Sequence, residues 1–256
     1  MIKMEYPFRP ATLKERQEFY KKEFNMSATK RWLASRIKPQ IFELDFGTET
    51  KIIKDKQFLN QLIVFTGSIE KLKGKAIKEL PEDIYYDRNI YANLQEALKK
   101  RNFRNAIETK NWKGQELAFD IDPENIPCKC KKRKVGELFK FCNICLDKAK
   151  TSTLEMHKAL KRKFNRVEIV YSGRGYHLHV FDKAAFELSL KQRIALNRQL
   201  RSFPIDDWVS RGRIRLIRLP YSLNALVSRI CWPLKINEIK KFNPASDERV
   251  IPKFLH

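Results

Sequence analysis

Long apolar runs are what this chain lacks first. No stretch approaches the ~18 consecutive apolar residues of a membrane-spanning helix. The N-terminus, Met1-Ile-Lys-Met-Glu-Tyr-Pro7, has no signal-peptide apolar core. Both absences point to a soluble intracellular protein, cytoplasmic by default. Low-complexity tracts and internal repeats are missing too, which excludes repeat arrays and linker-rich architectures. Acidic residues are in short supply: 30 Asp and Glu stand against 53 Lys and Arg, a formal charge of +23. So large an excess attracts a phosphate polyanion with salt-dependent affinity. Nucleic acid is the first partner this charge implies. An anionic membrane is the second, but no amphipathic basic helix supports it. A lysine-rich coding bias is the bland explanation for part of the excess. With 43% hydrophobic residues among 256, the chain can fill one large domain, or a domain with a small satellite.

Periodicity and capping predict a mixture of helices and strands. Thr12-Leu-Lys-Glu15 has the capping-box pattern, opening a helix to about Phe24, with Trp32 and Leu33 packing beneath it. Ile41–Phe46, Leu62–Phe65 and Ile84–Tyr86 read as strands, and Lys51–Lys56 is a further candidate. A helix is expected over Ala92–Arg101 and a strand through Asp120. A cysteine-rich basic segment, 128–145, interrupts the pattern. Thr151–Phe164 reads as a helix, Val167–Tyr171 as a strand by its β-branched content, and Tyr176–Phe181 as strand after a glycine turn. Lys183–Arg201 reads as helical, Arg213–Leu219 is open between strand and helix, and Arg229–Leu234 is a strand candidate. The class is α+β. No linker divides the chain, so one domain over 1–256 is expected, with 128–145 inserted into it.

Asp120 and Asp122, in Glu116-Leu-Ala-Phe-Asp-Ile-Asp-Pro123, stand at i and i+2 of an alternating strand. Both carboxylates therefore share one face while Phe119 and Ile121 take the other. Hard oxygen donors on a rigid face can hold divalent cations between them. The ordinary reading of Asp-x-Asp is an exposed edge with two solvated carboxylates, but Leu117, Ala118, Phe119 and Ile121 make this a core strand. Ser172-Gly-Arg-Gly-Tyr-His177 is a phosphate-cradle candidate: glycines allow close backbone approach, and Ser172 and Arg174 can donate to phosphate oxygens. His177 and His179 share a face of the following strand. His177 reads as a functional donor, His179 as structural or functional.

Cys128-Lys-Cys130 and Cys142-Asn-Ile-Cys145 are two close thiol pairs that suit a closed structural zinc site. Disulfides and a redox Cys-x-x-Cys are the competing readings; an intracellular setting and the absence of thioredoxin-like context weigh against them. Cys231, beside Trp232, reads as a core thiol. Ile205-Asp-Asp-Trp-Val-Ser-Arg-Gly-Arg-Ile-Arg-Leu-Ile-Arg-Leu-Pro220 places another acid before a cationic run. It reads either as polar surface or as the completion of a metal and triphosphate site.

Taken in order, these segments resemble the small catalytic subunit of archaeal and eukaryotic DNA primases. Lys241-Phe-Asn-Pro244 and Val250-Ile-Pro-Lys-Phe254 add a weaker match. The resemblance covers about 112–256 well, and the N-terminal part loosely through Glu15-Arg-Gln-Glu-Phe-Tyr20. It implies the archaeo-eukaryotic primase catalytic core, mixed β-sheets flanked by helices, with a zinc knuckle inserted at 128–145. It further implies that Asp120, Asp122 and Asp206 hold two catalytic Mg²⁺ or Mn²⁺ ions, and that Cys128, Cys130, Cys142 and Cys145 hold structural Zn²⁺. Ser172, Arg174, His177, Arg215 and Arg218 would contact the incoming nucleotide's phosphates. The activity implied is primer synthesis on single-stranded DNA from NTPs or dNTPs, releasing pyrophosphate, with an iron–sulfur large subunit, separate or fused, as partner. Tyr85, Tyr86 and Trp112 are candidate stacking partners for the template.

The chain departs from that family in two places. Asn224 and Leu226 stand where the family usually has a histidine and a lysine. Arg201-Ser-Phe-Pro-Ile205 crosses directly where relatives often insert a helical subdomain, so no large helical subdomain is expected. Two other readings compete: a repair or plasmid-type primase-polymerase that extends primers, and a non-catalytic zinc-containing nucleic-acid-binding subunit. The presence of all three carboxylates weighs against the second.

Overall fold

In the computed structural model, which describes residues 5–34, 36, 38–47, 52–55, 62–100, 109–127, 142–212 and 214–256, the chain opens with two helices. Thr12 caps α1 (Leu13–Lys22) through the expected capping box: its hydroxyl accepts the Glu15 N–H, and the Glu15 carboxylate accepts the Thr12 N–H. α2 (Met26–Ala34) buries Trp32 and Leu33. β1 (Phe42–Asp45) and β2 (Leu62–Phe65) lead to α3 (Ile69–Glu79), a Ser68-capped helix absent from the expectations above. β3 (Asp83–Asp87), β4 (Asn89–Tyr91), α4 (Leu94–Lys100), β5 (Trp112–Gln115) and β6 (Leu117–Ile121) follow. Then come α5 (Asn143–Lys161), β7 (Val167–Tyr171), β8 (Tyr176–Val180), α6 (Lys183–Phe186) and α7 (Leu190–Gln199). The chain closes through α8 (Asp207–Ser210), β9 (Leu216–Arg218), β10 (Leu223–Asn224), β11 (Arg229–Ile230) and β12 (Trp232–Leu234).

Several expected boundaries move, each for a local reason. Residues 52–55 form no strand. The helix expected from Thr151 begins at Asn143, inside the cysteine segment, because the Cys142 thiol caps it by accepting the Cys145 N–H at 3.4 Å. Lys183–Arg201 breaks into α6 and α7, since Ser189 starts a new helix through its own capping box with Gln192. Arg229–Leu234 breaks at Cys231, whose N–H leaves the ladder and donates to the Ser222 carbonyl at 2.8 Å. Cys231 is a core thiol, and burial pushes it up to about 12.

Two four-stranded antiparallel sheets, ordered β2-β1-β3-β9 and β12-β7-β8-β6, carry the architecture, which is α+β as expected. One core joins α1, α2 and α3 to the first sheet: Phe19, Trp32 and Leu72 meet Phe42, Leu44, Ile84, Tyr86 and Ile217, and Ala118 and Val170 of the second sheet enter it. A second core lies between the other face of the second sheet and the helices α5 and α7, with Met156, Leu160 and Leu196 against Phe119, Ile169 and Leu178. The second sheet is thus apolar toward α5 and α7, and its remaining face is free to carry polar groups. Among the described residues no helix is long and apolar enough to cross a membrane.

Candidate active site

β6 and β8 lie side by side, with Asp120 directly opposite His177 and Ala118 opposite His179. The period of two decides the rest. Leu117, Phe119 and Ile121 of β6 and Tyr176, Leu178 and Val180 of β8 enter the core under α5 and α7, so Asp120, His177 and His179 emerge together on the opposite face. His177 Nε2 lies 3.7 Å from Asp120 Oδ1. Asp122 follows at the end of β6, where Pro123–Asn125 turns the chain as a short 3-10 helix.

Asp206 arrives from a distant part of the sequence. Its N–H donates to the Asp120 carbonyl at 2.9 Å, and its Oδ1 caps α8 by accepting the Trp208 N–H at 2.7 Å. Two buried side chains hold α8 in place. Arg88 donates to the carbonyls of Glu116 and Val209, both at 2.8 Å, and to that of Ile214. Asn197 donates to the Ser210 hydroxyl at 2.6 Å. Neither Arg88 nor Asn197 figures in the sequence reading, because each bridges segments far apart in the chain.

Between β7 and β8 the glycine turn wedges against the carboxylates. Ser172 Oγ accepts the Gly175 N–H at 3.0 Å. Gly173 has φ +98°, and a Cβ there would fall 2.5 Å from the Asn224 Cβ. At Gly175 a Cβ would fall 2.4 Å from both Asp122 Oδ1 and the Ile121 carbonyl. No side chain fits between this turn and the end of β6. Arg174 reaches across, pairing with Asp122 Oδ2 at 2.6 Å and Glu124 Oε1 at 3.3 Å. Burial opposes its charge, but Asp122 and Glu124 outweigh burial and raise its pKa.

The charges explain what the cluster demands. Burial, then the neighbouring Asp122, and further Asp206, push the Asp120 carboxyl well above the ordinary carboxylate range despite Arg174. Among the described residues, Asp120 Oδ1 is buried with no hydrogen-bond donor. Burial, then His179, Arg88 and Arg174, hold His177 well below the usual histidine range, so its ring is neutral. A buried carboxylate oxygen without a donor, crowded by like charges, fits a divalent cation. The fit is incomplete in this arrangement: with Arg174 on Asp122, no group of three or more His, Cys, Asp or Glu closes around one point among the described residues.

The other expected site residues are placed differently. Arg215 is tied to Glu43 and, at 3.0 Å, to Asp87, both buried acids of the first sheet. Arg218 pairs with Asp83 and lies 5.2 Å over the Tyr85 ring. Burial, then Asp45, pushes the Tyr85 hydroxyl up, and it donates to Asp83 Oδ2 at 3.0 Å. Tyr86 is fully buried and donates to Glu116 at 2.7 Å, and Trp112 donates its indole N–H to Asn89 at 3.1 Å. Glu116 was legible only as the start of a motif. It lies two and four residues before Ala118 and Asp120, hence on their face, and its carboxylate joins Tyr86 of the first sheet to His179 Nδ1 at 2.5 Å. Cys142 and Cys145 bring their sulfurs within 3.3 Å, half of the expected knuckle; Cys128 and Cys130 lie outside the described residues.

No family model matches the chain. An uncharacterised DNA primase small subunit-like protein of Archaeoglobus fulgidus is 38% identical across 98% of this chain and 95% of its own length. The chain belongs to the archaeo-eukaryotic DNA primase small-subunit family. The DNA primase small subunit PriS of Pyrococcus furiosus is 28% identical over 72% of this chain, and the match spans 47% of that protein. The chain thus spans about half the length of such PriS relatives. The polymerase domain of Mycobacterium tuberculosis Ligase D, solved in complex with DNA, shares the fold: TM-score 0.52 over 94% of this chain and 85% of that domain, at 12% identity. Asn224 has a structural task of its own. Its Nδ2 donates to the Ser172 carbonyl at 3.2 Å and its Cβ packs on Gly173, bracing the glycine turn, while Leu226 is buried.

Proposed function

We propose that the protein is a primase: a DNA-directed nucleotidyltransferase that builds short primers on single-stranded DNA from NTPs or dNTPs and releases pyrophosphate. The observation that supports this reading best is the convergence of Asp120, Asp122 and Asp206 beside a neutral His177 and the Ser172–Gly175 turn. Asp120, Asp122 and Asp206 would hold Mg²⁺ or Mn²⁺. Bound there, two such ions supply activation of the attacking 3′-hydroxyl and neutralisation of charge on the departing pyrophosphate. The chain's own residues do the positioning. Arg174 exchanges Asp122 for phosphate oxygens when a triphosphate arrives, which frees Asp122. His177, kept neutral by burial, offers a ring N–H without adding positive charge beside the carboxylates. The Ser172 hydroxyl already accepts from Gly175 and has its own proton to donate.

The basic surface would carry the template, and an iron–sulfur large subunit is the partner the family resemblance implies. A structural Zn²⁺ on Cys128, Cys130, Cys142 and Cys145 completes the reading, supported by the paired sulfurs at the start of α5. Metal analysis of the purified chain is expected to find one bound zinc, lost in Cys142→Ser.

A primase-polymerase that only extends primers is the second reading, favoured by the fold shared with the ligase polymerase domain and by Asn224 and Leu226, which stand where the family resemblance expects basic residues. Unprimed synthesis on single-stranded DNA, with NTPs or dNTPs and Mg²⁺ or Mn²⁺, separates the two. New strands are expected, abolished in Asp120→Ala with DNA binding retained. Extension of a supplied primer without new strands would replace primase by polymerase, and synthesis by Asp120→Ala would refute the site.

A further inference from the structure

Trp208 is 65% exposed, the most exposed large apolar side chain among the described residues. The other three tryptophans have surroundings that explain them. Trp32 is buried against Tyr86, His179 and Phe181. Trp112 is hydrogen-bonded to Asn89, and Trp232 meets Tyr221 edge-on at 5.0 Å between centroids. The aromatic residues expected to stack on a template are likewise committed: Tyr86 is in the core, and Tyr85 lies under the Arg218 guanidinium.

The place of Trp208 is informative. It lies two residues after Asp206, and its own N–H is the donor that orients the Asp206 carboxylate at 2.7 Å. Its carbonyl accepts the Ile214 N–H at 3.1 Å, while Arg88 clamps the neighbouring carbonyls of Val209 and Ile214. A hydrogen-bonded backbone, tied to the Asp206 carboxylate, therefore presents the indole to solvent. Ile214, joined to Trp208 through its backbone, is 41% exposed, and Arg211, one helical turn on, keeps its guanidinium at the surface on Asp207. A flat apolar ring on a fixed mount, with a cation nearby, suits a base, because every base has a π-face whatever its edges.

We propose that Trp208 is a stacking platform for an unpaired nucleic-acid base at this site. The proposal rests on the reading of the site as one that acts on nucleic acid. The base has two sources, the template strand or a bound nucleotide, and the test tells them apart. Fluorescence anisotropy with the full chain compares a labelled oligo-dT with an abasic strand of equal length, for wild type, W208A and W208F, at fixed salt. Wild type is expected to prefer the base-bearing strand. W208A should lose about tenfold in affinity for oligo-dT and none for the abasic strand, with W208F recovering most of the loss. If oligo-dT binding is unchanged but NTP binding weakens about tenfold, the ring serves the nucleotide's base instead. No change in either overturns the platform. So does a clear fall in the melting temperature of W208A, which would show the ring to be packed in the fold. Wild type that binds no strand at all and no NTP sinks the reading of the site, and the platform with it.

Discussion

A buried carboxylate oxygen with no donor is unstable until something positive reaches it, and Asp120 is that group. Its carboxyl is pushed well above the ordinary range by burial, then by Asp122. The folded chain therefore retains a proton that the unfolded chain gives up near pH ~4. Where the folded state binds more protons, stability falls as pH rises, and this loss continues until the raised folded pKa is passed. Asp120→Asn keeps the shape and removes the charge. In the absence of metal, the melting temperature of wild type is expected to fall relative to that of Asp120→Asn as pH climbs from ~4 to neutrality. At neutral pH the variant should be the more stable protein and should make no primer. Mn²⁺ should raise the melting temperature of wild type and leave the variant unmoved. Calorimetry across pH, with and without Mn²⁺, decides it; a variant less stable than wild type at neutral pH would remove the argument from charge crowding.

Among the elements, the β7–β8 turn is the one whose geometry the site cannot do without. An alanine methyl at Gly175 would meet Asp122 Oδ1 and the Ile121 carbonyl, and only movement of the turn or of Asp122 relieves the collision. Gly175→Ala is expected to cost about 1–3 kcal/mol, as overpacking does, and to lower synthesis more than the lost stability explains. Gly74, exposed in the middle of α3 with open space around it, is the control: Gly74→Ala should stabilise by about 0.5–1 kcal/mol and leave synthesis alone. Denaturant unfolding and nucleotide incorporation measure both. This turn was legible in the sequence, as were the Thr12 cap, β7 and the shared face of Asp120, because each is written within a few consecutive residues. α3 was not: its narrow stripe of Ile69, Leu72 and Ala76 is interleaved with Lys71, Lys73, Lys75 and Gly74. Nor were the partners of Arg215 and Arg218. Glu43, Asp83 and Asp87 reach those arginines only through strand pairing, which no local pattern encodes. Arg88 escaped notice for the same reason, although it fixes the helix that follows Asp206.

For the whole molecule, the buried ion pairs sharpen what the net charge means. Arg16 with Glu82, Arg215 with Glu43 and Asp87, and Arg218 with Asp83 each set opposite charges against one another inside the fold. Three arginines there face four carboxylates, and Arg88, Arg193 and Arg229 are buried on backbone carbonyls, so most of the formal excess of +23 lies outside these buried groups. A strand lying on the basic surface displaces condensed counterions as lysines and arginines replace them at its phosphates. For single strands the affinity then falls with salt at a log–log slope of about −0.7 per phosphate neutralised. With about four to five phosphates engaged, a fourfold rise in salt should weaken binding by roughly 50- to 130-fold. Anisotropy titrations of an oligonucleotide at several salt concentrations measure the slope, and a flat response would mean that the basic surface does not face the strand. Stacking on an indole releases no counterions. The W208A line should therefore run parallel to the wild-type line and below it, whereas removing a lysine that touches a phosphate should make the slope shallower. Parallel displacement is the outcome that keeps the two contributions, base and backbone, physically separate.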